Sequence, residues 1–356
     1  MESLLKIITH TIISLNDWFC EYKITLLEGS TMKIIPFDEV IEHLSFEQAI
    51  QTMKACFFDY QKGLISQTPR KVEILPDGTN QNIFAMMPAY LGKERVFGAK
   101  MITAFPENRR YGLPSHLGEI LLFDSRTGQP QALIDANAVT WIRTAAVSAL
   151  ATDYLAKKEA QKLALIGAGQ QAVSHFEAIR CVRELKTVFI YDINQENAEK
   201  LAKQLGKKHP FVTFTACLSV KEAVAQADII CTLTPSKEAF LKKEWVQPGT
   251  HINAIGTFTP DTREITTELM CGSAIYVDDY EAVLNESGDL LIPMNEGRLS
   301  EEDIRGSLGE LVAKQTRGQQ LPGRQTPEEI TLFDAVGLAV EDLCCAESIW
   351  NKVKGR

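Results

Sequence analysis

Three small residues, Gly167, Gly169 and Ala172, have the spacing Gly-x-Gly-x-x-Ala directly after an apolar run. The run, 163–166, predicts a buried strand, and the segment 173–185 predicts a helix. A strand, a glycine-rich turn and a helix N-terminus form a site for the pyrophosphate of a dinucleotide, because backbone N–H groups and the helix dipole face the anion. Gly167 would permit the turn, Gly169 would admit the phosphates, and Ala172 would keep helix and strand close. The alternative is a structural strand–turn–helix unit that binds nothing.

Asp192 ends the next predicted strand, 187–191, and lies 25 residues after Gly167. An acidic side chain at this point of a dinucleotide-binding unit suits the ribose hydroxyls of NAD and repels the 2′-phosphate of NADP. The sequence therefore predicts NAD as the cofactor.

Three basic residues, Arg70, Lys100 and Arg143, are candidates for substrate chemistry. Lys100 lies in an otherwise apolar strand, 97–102, where a buried ammonium must be paired or lose its proton. Arg143 has small and apolar neighbours, and a guanidinium in such surroundings suits bidentate binding of a carboxylate. Arg70 follows Pro69 in a predicted loop. The alternatives are a lysine at a strand edge facing water and an arginine in a structural salt bridge.

Polar residues near strand ends are further candidates for ligand contacts. Ser115 and His116 precede a predicted strand, where they would bond a substrate or cap the loop. Thr232, Thr234 and the segment 253–256 follow the fourth and fifth strands of the predicted nucleotide-binding sheet. Open α/β sheets bind their ligands at the carboxyl ends of strands.

Two patterns of secondary structure surround these residues. A capping-box spacing at Ser45 introduces a predicted helix, 46–60. Predicted strands then alternate with turns, which favours antiparallel pairs, and a helix is predicted over 140–154; these strands are about 83–91, 96–105, 120–124 and 132–134. From residue 163 strands alternate with helices, which predicts a doubly wound parallel sheet; its strands are 163–166, 187–191, 211–215, 229–233, 251–255 and 275–278, and its helices 171–185, 195–205 and 219–226.

A last helix, about 330–352, has no predicted sheet partner and is expected to return to the first domain. The fold class is therefore α/β, a Rossmann-type doubly wound parallel sheet inserted into a discontinuous α+β domain. We place the substrate-binding domain at 32–146 plus 322–356 and the NAD-binding domain at 147–321. Met32 is a second plausible start, so residues 1–31 are treated as an extension of uncertain status.

Composition narrows the class of protein. The chain has 356 residues, 45% of them hydrophobic, and a net charge of −9 without blocks of like charge, which argues against a nucleic-acid surface. Its eight cysteines contain no C-x-x-C pair, and a reducing cytoplasm is the simplest interpretation. Its six scattered histidines make a metal site improbable. The apolar stretch 4–15 is too short and too polar to span a membrane.

The order of motifs resembles the ornithine cyclodeaminase/mu-crystallin family over nearly the whole chain from Met32. The motifs that carry the resemblance are 87–90 (MPAY), Lys100, 114–116 (PSH), 143–149 (RTAAVSA), 167–172 (GAGQQA), 251–256 (HINAIG), 286–289 (ESGD), 308–310 (LGE) and 336–342 (VGLAVED).

The resemblance implies a dimer formed through the strand-rich domain, so that this domain is a substrate-binding and dimerisation domain. It implies that Arg70 and Arg143 grip a substrate carboxylate, that Lys100 is catalytic at the reactive centre, and that Ser115 touches the substrate. The resemblance and the strand-end positions together predict the NAD-binding residues; these are Thr144, Gly167, Ala168, Gly169, Gln170, Gln171, Asp192, Thr232, Thr234, Asn253, Ile255 and Gly256.

Phe258 departs from the pattern of the cyclodeaminases in this family. Those enzymes carry Gly-x-Asp-x-Pro-Gly-Lys-x-Glu after the fifth strand, and Phe258 occupies the place of the aspartate that is thought to handle the distal amine of ornithine. A phenyl ring can neither accept a proton nor pair with an ammonium. We therefore predict that Phe258 is a substrate-binding residue, an apolar wall that serves a neutral side chain or a cyclic imine better than a diamine. Asp261, three positions on, is the alternative acid.

We therefore expect an NAD(H)-dependent oxidoreductase acting on the C–N bond of a small amino or imino acid, of the ketimine or pyrroline-2-carboxylate reductase type or the alanine dehydrogenase type. The alternatives are an ornithine cyclodeaminase, which is a lyase, and a protein that binds a nicotinamide cofactor without turnover.

Overall fold

The computed structural model describes residues 32–79, 81–316 and 323–355, and within them it contains two β-sheets. The predicted extension 1–31 and the predicted boundary at 321/322 lie outside the described residues. No described helix has both the length and the hydropathy needed to cross a bilayer.

The first sheet is mainly antiparallel. Its strands follow the order β1-β7-β6-β5-β4-β2, and β3 also pairs with β4. The four predicted strands of this region are present, and three short strands, β1 to β3, were not predicted. The strands are β1 (Lys33–Ile35), β2 (Ser66–Gln67), β3 (Lys71–Ile74), β4 (Ile83–Tyr90), β5 (Val96–Ala104), β6 (His116–Asp124) and β7 (Pro130–Asp135).

Four helices accompany this sheet, namely α1 (Phe37–His43), α2 (Phe46–Gln61), α3 (Ala136–Leu155) and α11 (Ala339–Val353). The predicted capping box is present at the start of α2, where Ser45 and Gln48 bond each other's backbone N–H groups. Asp135 caps α3 by accepting a hydrogen bond from the Ala138 N–H. Because α3 packs against both β6 and the helix of the nucleotide-binding turn, its residues are buried on nearly all sides.

The second sheet is parallel throughout, with the order β10-β9-β8-β11-β12-β15-β13-β14. All six predicted strands are present, with ends displaced by at most two residues. The strands are β8 (Lys162–Ile166), β9 (Thr187–Tyr191), β10 (Thr213–Ala216), β11 (Ile229–Thr232), β12 (His251–Ala254), β13 (Ala274–Val277), β14 (Ile304–Ser307) and β15 (Thr331–Asp334). The helices of this half are α4 (Gln170–Ile179), α5 (Gln195–Lys208), α6 (Val220–Val224), α7 (Thr267–Cys271), α8 (Tyr280–Glu286), α9 (Gly288–Asn295) and α10 (Leu308–Thr316).

The order of strands reverses between β8 and β11, so their carboxyl ends flank the crevice in which a doubly wound sheet binds its ligand. The fold is therefore the predicted α/β class with a Rossmann-type sheet.

One prediction for the last segment was wrong. The helix predicted over 330–352 is a strand followed by a helix, and the strand, β15, lies between β12 and β13 in the parallel sheet. Two neighbouring strands satisfy its backbone groups, and a helix over the same residues would leave β12 and β13 without a ladder. The predicted domain 322–356 thus wrongly included a strand of the nucleotide-binding sheet. The rest of the division into domains stays a prediction.

Candidate functional site

The glycine-rich turn between β8 and α4 has the geometry of an anion site. Gly167 adopts φ +104°, a left-handed conformation that favours glycine, and a Cβ there would lie 2.9 Å from the Leu233 carbonyl oxygen. At Gly169 no described atom lies within 4 Å of the position of a Cβ. No described side chain caps the N-terminus of α4, so the N–H groups of Gln170 and Gln171 remain for a ligand, while that of Ala172 donates to the Gly169 carbonyl oxygen. Ala172 is fully buried, as expected for close packing of helix and strand.

Asp192 is beside this turn. Its carboxylate accepts hydrogen bonds from the Ala168 N–H at 2.8 Å and from the Asn194 N–H at 2.9 Å. The carboxylate therefore braces the turn as well as standing at the end of the second strand.

The ends of β11 and β12 meet closely. The Thr234 N–H and hydroxyl donate to Glu264 Oε1, and the Gly256 N–H donates to Glu264 Oε2. Thr232 and Ile255 flank this contact. Asn253 is different, because its side chain is fully buried and donates to the hydroxyl of Thr152 on α3. This geometry favours a structural role for the Asn253 amide over contact with a cofactor.

Lys100 and Arg143 are brought together by two adjacent acids on α11. The Lys100 ammonium lies 2.6 Å from Asp342 Oδ2. Arg143 donates through Nε to Asp342 Oδ1 and through Nη1 to Glu341 Oε2, both at 2.9 Å. Since Lys100 is only 3% exposed and Arg143 only 7%, neither is a solvated surface charge. The alternative role, a structural ion pair, therefore holds for Nε and Nη1 of Arg143.

Burial dominates the titration of this cluster. It lowers the pKa of Lys100 to about 8, assisted by the charges of Arg143 and Arg70, although Asp342 opposes the shift. It raises the pKa of Glu341 to about 7 against the influence of Arg143. The pKa of the fully buried Asp342 is nevertheless lowered, because burial is outweighed by Arg143 and Lys100 together.

Arg70 reaches the same cluster from the loop before β3. Its Nε lies 2.8 Å from Glu286 Oε2, and its Nη2 donates to the carbonyl oxygens of Val336 and Gly337. Gly337 has φ +82°, and a Cβ there would lie 2.6 Å from Arg143 Nη1. The backbone at Gly337 thus lies against both arginines.

Two other predicted substrate residues are less close to this cluster. The Ser115 hydroxyl contacts His116 Nδ1 at 3.1 Å, and the Ser115 carbonyl accepts from Phe105, five residues beyond Lys100. Five residues of strand span about 16 Å, which separates Ser115 from Lys100 along β5. Among the described residues, no contact joins Ser115 to Arg70, Lys100 or Arg143. Phe258 lies in the loop after β12, as expected, and its side chain is 46% exposed.

Sequence reasoning missed Glu286, Glu341 and Asp342 as site residues. The signal that could have found them is that Glu286 and the pair 341–342 belong to motifs that carry the family resemblance, because acidic residues are otherwise common in the first turn of a helix. No group of three or more described His, Cys, Asp or Glu side chains is arranged to hold a metal ion.

Comparison with known proteins places this geometry in a family. The model of the ornithine cyclodeaminase/mu-crystallin family matches residues 32–356. The chain belongs to this family. It is 36% identical over 327 residues to a Δ1-pyrroline-2-carboxylate reductase of Colwellia psychrerythraea, with 90% of the chain and 99% of the relative covered. It is 37% identical over 316 residues to the ketimine reductase mu-crystallin of Rattus norvegicus, with coverages of 88% and 95%.

Among solved structures, this family member is similar to Δ1-pyrroline-2-carboxylate reductase of Thermococcus litoralis in complex with NADH and L-proline. The TM-score is 0.85 at 35% sequence identity, with 91% of the chain and 98% of the relative covered. The match includes both sheets, so the likeness extends beyond the nucleotide-binding half.

Proposed function

We propose that this chain is an NADH-dependent reductase of a small cyclic imino acid, with a carboxylate beside the C=N bond and a five- or six-membered ring. The reaction converts the imine, NADH and a proton to the cyclic amino acid and NAD⁺. The convergence of Arg70 and Arg143 on Gly337, with Lys100 joined to Arg143 through Asp342, is the observation that carries this proposal. The relatives that are named as reductases of pyrroline-2-carboxylate and ketimines support it.

The two arginines would hold the substrate carboxylate. Arg143 Nη2 and Arg70 Nη1 make no hydrogen bond to a described residue, although their other nitrogens are held by carboxylates and carbonyls. Each guanidinium is thus fixed in direction and retains a donor. Holding the imine carbon in a reactive orientation contributes up to about 7–11 kcal/mol to lowering a barrier.

Lys100 would keep the imine nitrogen protonated. The Asp342 carboxylate fixes the ammonium 2.6 Å away, and its burial leaves few other partners. A protonated C=N bond is the better electrophile at carbon, and the proton stays on nitrogen in the product amine.

The residues at the strand ends fit a nicotinamide dinucleotide. The open space at Gly169 and the uncapped N-terminus of α4 suit its pyrophosphate, and Asp192 suits the ribose of its adenosine half. Thr144, next to Arg143, has a buried hydroxyl without a partner among the described residues, which a bound cofactor would satisfy. The cofactor, when bound, supplies the hydride.

The deciding experiment offers the purified protein NADH with pyrroline-2-carboxylate and with its six-membered homologue. We expect NADH oxidation and formation of the cyclic amino acid. Ammonia and proline released from ornithine without net change in NADH would instead identify a cyclodeaminase. NADH binding without turnover of a panel of imines, keto acids and amines would identify a binding protein.

We further propose that the chain acts as a homodimer through the outer face of the first sheet. Phe84, Met86 and Tyr90 on β4 are 37%, 37% and 42% exposed, whereas the alternate residues 85, 87 and 89 are buried on the opposite face. The register places Phe97 beside Tyr90, and Phe97 stacks on Phe123 at 5.1 Å. Such a contiguous apolar surface favours burial between two copies.

Met86→Glu tests this proposal by sedimentation. We expect the wild type to be dimeric and the variant to dissociate, with Ile193→Glu as a control at a residue that is 96% exposed in the turn after β9. A monomeric wild type at micromolar concentration would contradict the proposal. The cytoplasmic location stays a prediction.

A further inference from the structure

Glu264 is a buried acid that the mechanism above does not use. It is completely buried, yet it accepts hydrogen bonds from the Thr234 N–H at 2.7 Å, the Thr234 hydroxyl at 2.6 Å and the Gly256 N–H at 3.0 Å. These donors belong to the carboxyl ends of two neighbouring strands, β11 and β12. One carboxylate therefore fixes the spacing of both strand ends.

The strand ends are also in direct contact. A Cβ at Gly256 would lie 2.2 Å from the Thr234 nitrogen and 2.3 Å from its carbonyl oxygen. Only glycine allows this approach, so the two ends have no freedom to adjust if the carboxylate moves.

Asp289, at the start of α9, holds Glu264 in turn. Its Oδ1 accepts from the Glu264 N–H at 2.9 Å and from the Ile265 N–H at 2.7 Å, and its Oδ2 accepts from the Thr257 hydroxyl at 2.8 Å. Asp289 is fully buried and only three residues after Glu286, the partner of Arg70. The same short segment thus contacts the strand ends and the substrate arginine.

The loop with Phe258 is seated on this segment. A Cβ at Gly288 would lie 2.1 Å from the Thr262 carbonyl oxygen and 3.0 Å from the carbonyl oxygens of Thr259 and Pro260. The backbone of the loop therefore rests on Gly288 without room for a side chain. Displacement of Asp289 would displace the loop.

We infer that Glu264 and Asp289 are a pair of positioning residues, which set the nicotinamide end of the cofactor cleft and couple it to the Phe258 loop and to Arg70. The inference rests on the proposed function, because it takes the β11 and β12 ends as the place of the nicotinamide. The adenosine and pyrophosphate would lie across the switch point, at Asp192 and the glycine-rich turn. Glu264 and Asp289 would act by holding other residues in place, without contacting the reacting atoms of the substrate or the cofactor.

The hydrogen-bond partners of the two acids determine how well each tolerates replacement by the corresponding amide. In Glu264→Gln one side-chain atom must be an NH₂ group, which faces a backbone N–H and loses that bond. In Asp289→Asn the amide oxygen can serve both backbone N–H groups while the NH₂ group donates to Thr257. Asp289→Ala removes all three bonds.

Binding of NADH and of ADP-ribose, which lacks nicotinamide, tests the inference. We expect Glu264→Gln and Asp289→Ala to weaken NADH at least about tenfold while ADP-ribose changes less than about twofold, since only the nicotinamide end is displaced. Asp289→Asn should behave as the wild type. With imine as substrate, the first two variants should also show a larger primary isotope effect on kcat with NADH deuterated at the transferred position.

The matched control is Asp228→Ala. Asp228 accepts from the N–H groups of Gln161 and Lys162, both at 2.9 Å, at the amino ends of strands in the same sheet. This variant should lower thermal stability without changing the affinity for NADH relative to the affinity for ADP-ribose. Thr257→Val, which removes a single donor to Asp289, provides a milder variant that carries the test if the others do not fold.

Equal weakening of NADH and ADP-ribose in Glu264→Gln, Asp289→Ala and Thr257→Val would overturn the inference, as would unchanged NADH binding. Failure of the proposed function is distinguishable, because the wild type itself would then bind no NADH or turn over no imine.

Discussion

Lys100 and Arg143 share one carboxylate, because Asp342 bonds the lysine through Oδ2 and the arginine through Oδ1. The two cations come from a strand of the first sheet and from the helix that joins the two sheets. A single acid on α11 thus fixes the distance between the proposed proton-bearing group and the proposed carboxylate clamp.

The pH dependence of imine reduction should report Lys100. Burial lowers the pKa of its ammonium to about 8, so the protonated form is lost as the pH rises through that value. Because the proposed role needs the ammonium, kcat/KM should fall about tenfold per pH unit above the pKa.

Asp342→Asn separates this titration from that of the substrate. Asp342 raises the pKa of Lys100 against the effect of burial, so its neutralisation should move the falling limb to lower pH. A limb that stays in place would belong to the imine itself and would remove the assigned role of Lys100.

Arg143→Ala should affect both stability and reaction. Removing one partner of a buried ion pair costs about 3–5 kcal/mol, because Glu341 and Asp342 would be left without their cation. In the folded protein, kcat/KM for imino acids should fall by a factor equivalent to about 2–5 kcal/mol, while NADH binding persists. Arg143→Lys should restore the reaction only partly, because an ammonium makes no bidentate fork.

Arg183→Ala is the matched control for stability. Arg183 is 4% exposed and donates to the carbonyl oxygens of Thr152, Ala156 and Lys157, away from the acids of α11. It should destabilise the fold and leave kcat/KM of the folded protein nearly unchanged. Normal kinetics in Arg143→Ala would show that this arginine is structural.

Asp192 should select NADH over NADPH by at least about tenfold in kcat/KM, which corresponds to about 1.4 kcal/mol. Hydrogen bonds from the Ala168 and Asn194 N–H groups hold its carboxylate at the turn, so it cannot easily rotate away from a 2′-phosphate. Asp192→Asn should narrow the preference by removing the charge while keeping an acceptor. Equal efficiency of the wild type with both cofactors would contradict this role.

The sequence pattern predicted the strands and helices that alternate along the chain, but it did not predict the strand 331–334 that completes the parallel sheet. Strands such as 163–166 are short apolar runs bounded by turns, and local pattern suffices for them. The strand 331–334 runs directly into the apolar motif before α11, so periodicity merged it with the helix. Its position between β12 and β13 is set by neighbours far away in sequence.

The same limit applies to the site. Lys100 stood out because an ammonium interrupts an apolar strand, whereas Glu341 and Asp342 are ordinary residues for the first turn of a helix. Their importance depends on burial against β5 and α3, which is a non-local contact. Glu264 stands at the place of the glutamate that ends the cyclodeaminase motif, and the two strand ends that it joins are visible only in three dimensions.

The last prediction concerns substrate choice at Phe258. This phenyl ring is 46% exposed in the loop after β12, which Gly288 and Asp289 hold in place. An exposed ring at the edge of the proposed cleft offers apolar surface and no partner for an ammonium, so a diamine would lose solvation without compensation. We expect negligible conversion of ornithine to proline and measurable NADH oxidation with five- or six-membered cyclic imines, both followed by chromatography of the products.

Phe258→Asp should weaken the reaction with cyclic imines. Asp261→Asn, a neighbouring change in the same loop, should leave the reaction largely intact, because the Asp261 carboxylate accepts a hydrogen bond from Thr259 within the loop. Robust release of proline and ammonia from ornithine by the wild type would show that another acid binds the distal amine, and that the chain is a cyclodeaminase.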